Sequence, residues 1–307
     1  SLNADILYGL PHQSVSRIAA SVEKLLTLAP DRVALYGYAH VPWMSRRQQL
    51  IPSASLPTPQ ERLDLFETAR QLFLRGMDEV MRAMPNHIAR SSLFAPVARG
   101  RRKMHDGTIL QSRGDAEIRF SGKQLDEAQA DVWMQAMREA QRQPLGTPVV
   151  INRRTFLQEI GRADSGQNYK WLHRTMQDLA FAMLVIEVTK DDGKPKLSIG
   201  KTRALHLIAG FDYDEASEEY TLTIDPRWHA MYGNREFALI DWEKRREFGR
   251  GQDMAKTLQR LVATSSNPVQ RYALDWLKGK MEYSGRMRDF RDALVRAVRE
   301  LERLEII

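Results

Sequence analysis

The chain has 307 residues, 43% of them hydrophobic, and a formal charge of +7, which permits a polyanionic partner without requiring one. It contains no cysteine, which excludes disulfides, thiolate zinc sites, cysteine nucleophiles and cysteine-held iron–sulfur clusters within it. The longest apolar run, Leu179 to Ile186, falls far short of the ~18 residues that cross a membrane. No basic stretch precedes an apolar one in the manner of a signal peptide, so a cytoplasmic protein with no membrane partner is expected.

The length suits two or three domains. Residues 1–76 read as strand, helix, strand, loop, helix. "DILYGLPHQS" (5–14) is the end of a strand running into a turn at Gly9 and Pro11. Ser14 to Leu28 reads as a helix capped by Ser14, with Ile18, Val22, Leu25 and Leu26 on one face. "DRVALYGYAH" (31–40) is a second strand, "IPSASLPTPQ" a loop, and Gln60 to Leu74 a further helix. Strand–helix–strand implies parallel pairing, and two parallel strands do not form a stable sheet alone, so this segment reads as a piece of something larger. Residues 77–107 show weak periodicity and the basic cluster Arg99, Arg101, Arg102, Lys103; they read as a linker, either a solvated arm or one that touches phosphate.

From residue 108 the pattern changes. Ala116 to Ser121 is a strand, and Asp126 to Gln143 a helix with Val132, Trp133, Ala136, Met137 and Ala140 inward. "TPVVIN" is a strand, Arg153 to Gly161 a short helix, and Ser165 caps a helix reaching Phe181. "MLVIEV", a "DDGK" turn, and a hairpin of "ALHLIAGFDY" and "EYTLTID" follow. Helices followed by β-hairpins are the order of a winged helix. After residue 230 the order partly repeats: Phe237 to Ala263 reads as mostly helical, Val269 to Lys278 as a shorter helix, and Arg286 to Glu305 as a long amphipathic one.

Two helices carry candidate chemistry. On 165–183, Leu172, Met176, Leu179 and Met183 form the inward stripe, while Lys170, Arg174 and Gln177 lie opposite. Long donors on an exposed face reach base edges and phosphates, and Ser165, Gly166, Gln167 and Asn168 sit where the helix dipole favours a phosphate. On the last helix, Phe290, Leu294, Ala297, Val298, Leu301 and Leu304 form the core stripe. Arg288, Arg296, Arg299 and Arg303 line the other face, with Arg286 at the entry and Arg291 on the flank. Arginine suits bidentate contacts to phosphate or guanine. An ordinary solvated, salt-bridged face has the same pattern, and Asp289, Asp292 and Glu300 suit it. "IGKT" (199–202) lacks the first glycine of a phosphate-binding loop, the histidines are scattered, and "GFDYDEASEE" lacks calcium-loop spacing, so no metal site is expected.

Residues from about 84 to 307 resemble plasmid replication initiators of the TrfA type. The resemblance rests on "MPNHIARSSLF", "FSGKQLDEAQADVWMQAM", "GTPVVINRRTFLQEIG", "SGQNYKWLHRTMQDLAFAML" and "LTIDPRWHAMY". It implies double-stranded DNA binding at repeated sites (iterons) of a plasmid origin through two winged helices, recruitment of the host replicative helicase, and monomers that bind DNA where homodimers are inactive. On that pattern a second wing would follow the last helix, and it is missing before the chain stops at Ile307.

Residues 1–76 are similar instead to the middle of oxygen-independent coproporphyrinogen III oxidase, a radical S-adenosylmethionine enzyme of haem synthesis. The likeness runs through "NADILYGLPHQSVSRIAASVEKLLTLAPDRVALYGYAHVPWMSRRQQLIPSASLPTPQERLDLF". It implies that Asp5 and Ala39 match contacts to S-adenosylmethionine. The family's cluster cysteines have no counterpart here, so no catalytic residue and no cofactor are expected. The expected fold class is α+β: tandem winged helices (108–230 and 231–307) after a linker (77–107), preceded by an α/β fragment of a radical enzyme's barrel fused near Gly76–Met77. A DNA-binding initiator, an oxidase fragment, and a chimera with no working function are the competing readings.

Overall fold

The computed structural model describes all residues except 1–2, 27, 29–31, 45, 98–101, 142, 144, 190–194, 233–236 and 266, with backbone alone at 32, 71–80 and 195. The chain divides into Ser1–Val80 and Met81–Ile307. Arg99, Arg101 and the "DDGK" turn lie outside the described residues.

The first unit comprises β1 (Asn3–Tyr8), α1 (Val15–Leu26), β2 (Arg32–Gly37) and α2 (Pro59–Val80). β1 and β2 pair in parallel, Asp5 opposite Ala34 and Leu7 opposite Tyr36. Alternation along each strand sends Ile6, Tyr8, Val33 and Leu35 toward Ile18, Val22, Leu65 and Ala69 of the two helices. The opposite face is uncovered, with Leu7 46% and Tyr36 53% exposed. The turn after β1 is closed by one side chain: Gln13 Oε1 accepts from the Gly9 and Leu10 amides at 2.7 and 3.2 Å, and its Nε2 donates to the Leu7 carbonyl. Ser14 caps α1, accepting from the Arg17 amide at 3.3 Å. Thr58 and Glu61 cap α2 reciprocally, which starts that helix at Pro59. The helix then passes through Gly76 and Met77, the expected junction, and ends at Val80.

The second unit begins with β3 (Met81–Pro85), α3 (Asn86–Arg90), β4 (Phe94–Ala95) and β5 (Met104–Ile109). The expected linker is therefore largely folded: Met84, Ile88, Ala89, Leu93 and Phe94 are core residues. Its elements are too short to show a period, and Arg82, fully buried and hydrogen-bonded to Gln135 at 2.8 Å, reads in sequence as a surface residue. Next come β6 (Ala116–Lys123), β7 (Leu125–Asp126), α4 (Glu127–Ala140), β8 (Val149–Asn152), α5 (Arg153–Glu159) and α6 (Gly166–Phe181). Then follow β9 (Met183–Thr189), β10 (Pro195–Ile199), β11 (Leu205–His206), β12 (Gly210–Asp214), β13 (Glu219–Thr223) and α7 (His229–Tyr232). β14 (Phe237–Asp241), α8 (Trp242–Glu247), α9 (Asp253–Val262), α10 (Leu274–Lys280) and α11 (Met287–Arg303) complete the chain.

A sheet runs β10-β9-β6-β5, with β11 on β9, and a three-stranded antiparallel sheet runs β12-β13-β8. Trp133 of α4 centres the larger core, 5.0 Å from the Trp228 ring and 5.9 Å from Phe94. Its indole donates to the Leu207 carbonyl, and that of Trp228 to His206, so both buried rings have their polar edge satisfied. A smaller core joins α9, α10 and α11 through Leu258, Leu261, Leu277, Phe290, Ala297 and Leu301.

Phe237–Asp241, expected within a helix, is a strand that pairs antiparallel with β3. Five residues cannot distinguish a half-buried strand from one helical face, and the partner strand lies in the misread linker. The shorter helix, expected from Val269, starts at Leu274. Met183 opens β9 and is 39% exposed, so it does not extend the α6 stripe.

Candidate nucleic-acid interface

α6 is held from beneath and from its flank. Leu172, Met176 and Leu179 are fully buried. His173 stands edge-on to Phe211 and Tyr213 of the β12–β13 hairpin and meets the Tyr220 hydroxyl at 3.3 Å. Arg153 lies 3.8 Å above the Tyr169 ring and donates to Tyr213 and Glu218, fixing the start of α5 against the hairpin. What remains outside is Gln167, Lys170, Arg174 and Gln177, all exposed.

The expected anion-binding end is partly occupied by its own cap. Ser165 Oγ accepts from the Asn168 amide at 3.3 Å, and Asn168 Nδ2 donates to the Ala163 carbonyl at 2.7 Å. Both side chains are half-buried. Arg174 Nε donates to the Lys170 carbonyl, and Gln177 approaches the His173 ring, but neither engages a carboxylate among the described residues.

On α11 the inward stripe is Phe290, Ala297 and Leu301, with Leu294 and Val298 half-buried and Leu304 buried just beyond the helix. Arg286, Arg288, Arg291, Arg296, Arg299 and Arg303 are all exposed. Arg303 pairs with Glu300 at 2.9 Å, and Arg288 lies 3.8 Å from Asp289. Among the described residues Arg286, Arg291, Arg296 and Arg299 have no carboxylate partner. Arg296 departs from the rest by lining a cleft beside Ala293 and Ala297. The α6 and α11 sets share no hydrogen bond or ion pair among the described residues.

Arg162, Arg245, Arg246 and Arg250, which line that cleft from outside α11, were not singled out in sequence, whereas Arg102 was, within the basic cluster. For Arg245, Arg246 and Arg250 the available signal was the run "EKRREFGRGQD", whose basic residues fall in one short helix and in the loop that leads to the next. Arg102 and Lys103 of the expected basic arm are tied down, to Asp126 and to Glu282 at 3.5 Å.

In the first unit, Asp5 is exposed on the uncovered face of the sheet, and Ala39 follows β2 with its carbonyl accepting from Gln48. The chain has no cysteine for the cluster of a radical S-adenosylmethionine enzyme, so its residues do not fit that cofactor. Among the described residues no helix is long and apolar enough to cross a membrane, and none of the His, Asp and Glu side chains group to hold a metal.

An α+β unit with basic, exposed helix faces is the kind of scaffold that meets polyanions. The TrfA protein family model matches residues 61–304, and the chain belongs to this family of replication initiators. Its N-terminal region is similar to oxygen-independent coproporphyrinogen III oxidase of Paracoccus denitrificans, 73% identical over 81 residues, which is 26% of this chain and 18% of that protein. The enzyme of the same name from Cereibacter sphaeroides is 61% identical over 90 residues, 29% of this chain and 20% of the relative. The chain thus spans about a fifth of the length of these curated relatives. A crystal structure of domains 2 and 3 of RctB is similar with a TM-score of 0.46 and 13% identity, over 71% of this chain and 85% of that one.

Proposed function

We propose that the Met81–Ile307 unit binds double-stranded DNA at repeated sites of a plasmid origin and so starts replication. The observation that carries this is the outer face of α11, where Arg286, Arg291 and Arg299 stand exposed without a carboxylate partner among the described residues, in a chain of the TrfA family. Guanidinium groups left free of internal pairs can take phosphates or the O6 and N7 of guanine. The α6 face adds Gln167, Lys170, Arg174 and Gln177.

A winged-helix reading of residues 108–230 is supported by the chain order α4, β8, α5, α6 and, after β9, β10 and β11 of the other sheet, the β12–β13 hairpin that pairs back onto β8. For 231–307 the support is the packing of α9, α10 and α11 on one core. In this reading α6 and α11 are the third helices, the ones that enter the major groove. Recruitment of the host replicative helicase, and a homodimer that does not bind the repeats, are carried over from the family as part of the proposal. The first unit takes no part in radical chemistry.

The test is a titration of the full chain against a duplex of direct repeats taken from beside its gene and a scrambled duplex, at two salt concentrations. The expected result is tighter binding to the repeats, with affinity for both falling steeply as salt rises. Equal, salt-insensitive affinity would remove the proposal.

A further inference from the structure

α4, α8, α9 and α11 border a cleft of about 1670 Å³ within the second unit. Its cations fall into two groups. Arg102, Lys103, Arg245 and Lys256 are each paired, with Asp126, with Glu282 at 3.5 Å, with Glu127 and Asp131 at 2.8 and 2.5 Å, and with Asp131 at 2.6 Å. Arg162, Arg246, Arg250 and Arg296 line the same cleft with no carboxylate partner among the described residues. Arg162 is half-buried, sits 3.5 Å above the Trp171 ring, and feels the charges of Asp131, Asp126 and Asp253 without an ion pair to any of them among the described residues. The Arg246 side chain runs past Gly161, where an added Cβ would lie 3.7 Å from its Cγ. Arg250 rises from the loop between α8 and α9, flanked by Gly249 and Gly251.

Among the described lining residues, Asp253 is the carboxylate left without an ion pair or side-chain hydrogen bond. Burial, and then the charges of Glu127 and Asp126, push its carboxyl up from the usual range, with Lys256 opposing. Tyr283 gives the cleft an aromatic wall, its ring held 5.2 Å from Phe290.

We propose that this cleft binds a small anion carrying a chain of phosphates, either inorganic or borne by a nucleotide. Four guanidinium groups without an ion pair among the described residues line one cleft, and phosphates are anions that such forks bind bidentately. At about 1670 Å³ the cleft exceeds the about 300–1,000 Å³ of pockets that bury most of a small ligand, so it has room for a phosphate chain or a nucleotide. The site is separate from the α6 face, and it goes beyond the DNA-binding reading, on which it does not depend.

The test uses the full chain, its tryptophan fluorescence and its thermal midpoint, titrated with sodium tripolyphosphate, a nucleoside triphosphate, and sulfate at matched ionic strength. Tripolyphosphate is expected to bind at least tenfold more tightly than sulfate and to raise the midpoint. Arg246→Ala and Arg250→Ala should each weaken it at least fivefold, while Lys170→Ala on α6 leaves it within twofold. Arg250 is exposed on a loop, so its removal leaves the fold intact and keeps the comparison decisive if the Arg246 variant unfolds. A nucleoside triphosphate that outbinds tripolyphosphate would support the proposal with a nucleotide as the source, and equal affinities would support it with an inorganic chain. Sulfate matching tripolyphosphate, a glutamate-rich peptide displacing it with equal potency, or Lys170→Ala weakening it as much as Arg250→Ala would overturn the proposal.

Discussion

Glu127 and Arg260 form a two-point ion pair with neither side chain exposed to solvent: Arg260 Nε donates to Glu127 Oε2 at 3.1 Å and its Nη2 to Oε1. Arg245 donates to the same carboxylate at 2.8 Å, and the Thr257 hydroxyl at 2.7 Å. Arg245 also meets Asp131, which in turn accepts from Lys256. The network ties α4 to α8 and α9, so the two halves expected as separate winged helices share one buried set of charges. Each charge is expensive to bury alone, and removing one partner leaves another uncompensated.

Glu127→Gln should therefore destabilise the second unit by about 3–5 kcal/mol, read as a lower urea midpoint at pH 7. Burial by itself would raise this carboxyl, but the charges of Arg260 and Arg245 and their hydrogen bonds outweigh it and bring it down to about 2 from 4.5. A depressed carboxylate contributes stability above its unfolded value and loses it as pH falls through the folded one. The contribution, about 3 kcal/mol at ~1.4 kcal/mol per unit, should disappear between about pH 4.5 and pH 2. In the variant that part of the acid titration should be absent, and an unchanged acid profile would count against the assignment.

The stripes of α4, α6 and α11 were legible because each exceeds three turns, long enough for Leu172, Met176 and Leu179, or Phe290, Ala297 and Leu301, to repeat at helical spacing. β3 and β14 were not, because each is five residues long and explained by a partner about 155 positions away. The buried charges of α4 failed for another reason. Glu127 and Asp131 sit one turn apart on a face that in sequence looks solvated, and only the arginines of α8 and α9 make it interior. The candidate DNA faces were legible as helix faces. Which of their arginines were free, and that Arg296 turns to a cleft, required the partners.

Lys280 supplies a second pH prediction. It is fully buried, its Nζ donating to the Ser91 carbonyl at 2.8 Å. Burial first, and the charge of Arg260 second, push its ammonium well below 10.5, with Glu127 opposing. Between its folded value and about 10.5 the unfolded chain binds more protons, so this residue makes stability rise with pH. Lys280→Met should raise the urea midpoint at pH 6, with the gain shrinking toward pH 10. A midpoint that falls at both values would show that the ammonium contributes more than its burial costs.

The first unit should perform no radical chemistry. Asp5 and Ala39 keep their places on the sheet and after β2, but the chain offers no cysteine to hold a cluster. Anaerobic reconstitution of the full chain with iron and sulfide should give only background cleavage of S-adenosylmethionine. Turnover that survives removal of contaminating enzymes would mean the cluster is held by other ligands.

The two basic helices should differ in what they read. Arg286, Arg288 and Arg291 cluster at the N-terminal end of α11, the end that contacts base edges in helix-turn-helix proteins. Arg291 has no carboxylate partner among the described residues, although Asp289 and Asp292 flank it and Arg288 already leans toward Asp289. A guanidinium bound to guanine O6 and N7 is worth ~1–3 kcal/mol of discrimination. On α6 Ser165 and Asn168 are committed to the cap, which leaves Gln167 in the first turn and Lys170 and Arg174 further along the helix for phosphates. Arg291→Ala should therefore flatten the preference for the repeat duplex over a scrambled one. Lys170→Ala should weaken binding to both and reduce the slope of log affinity against log salt by about one unit. Each variant is titrated against each duplex at two salt concentrations. If Lys170→Ala collapses the specificity ratio while Arg291→Ala leaves it unchanged, the roles of the two helices are reversed.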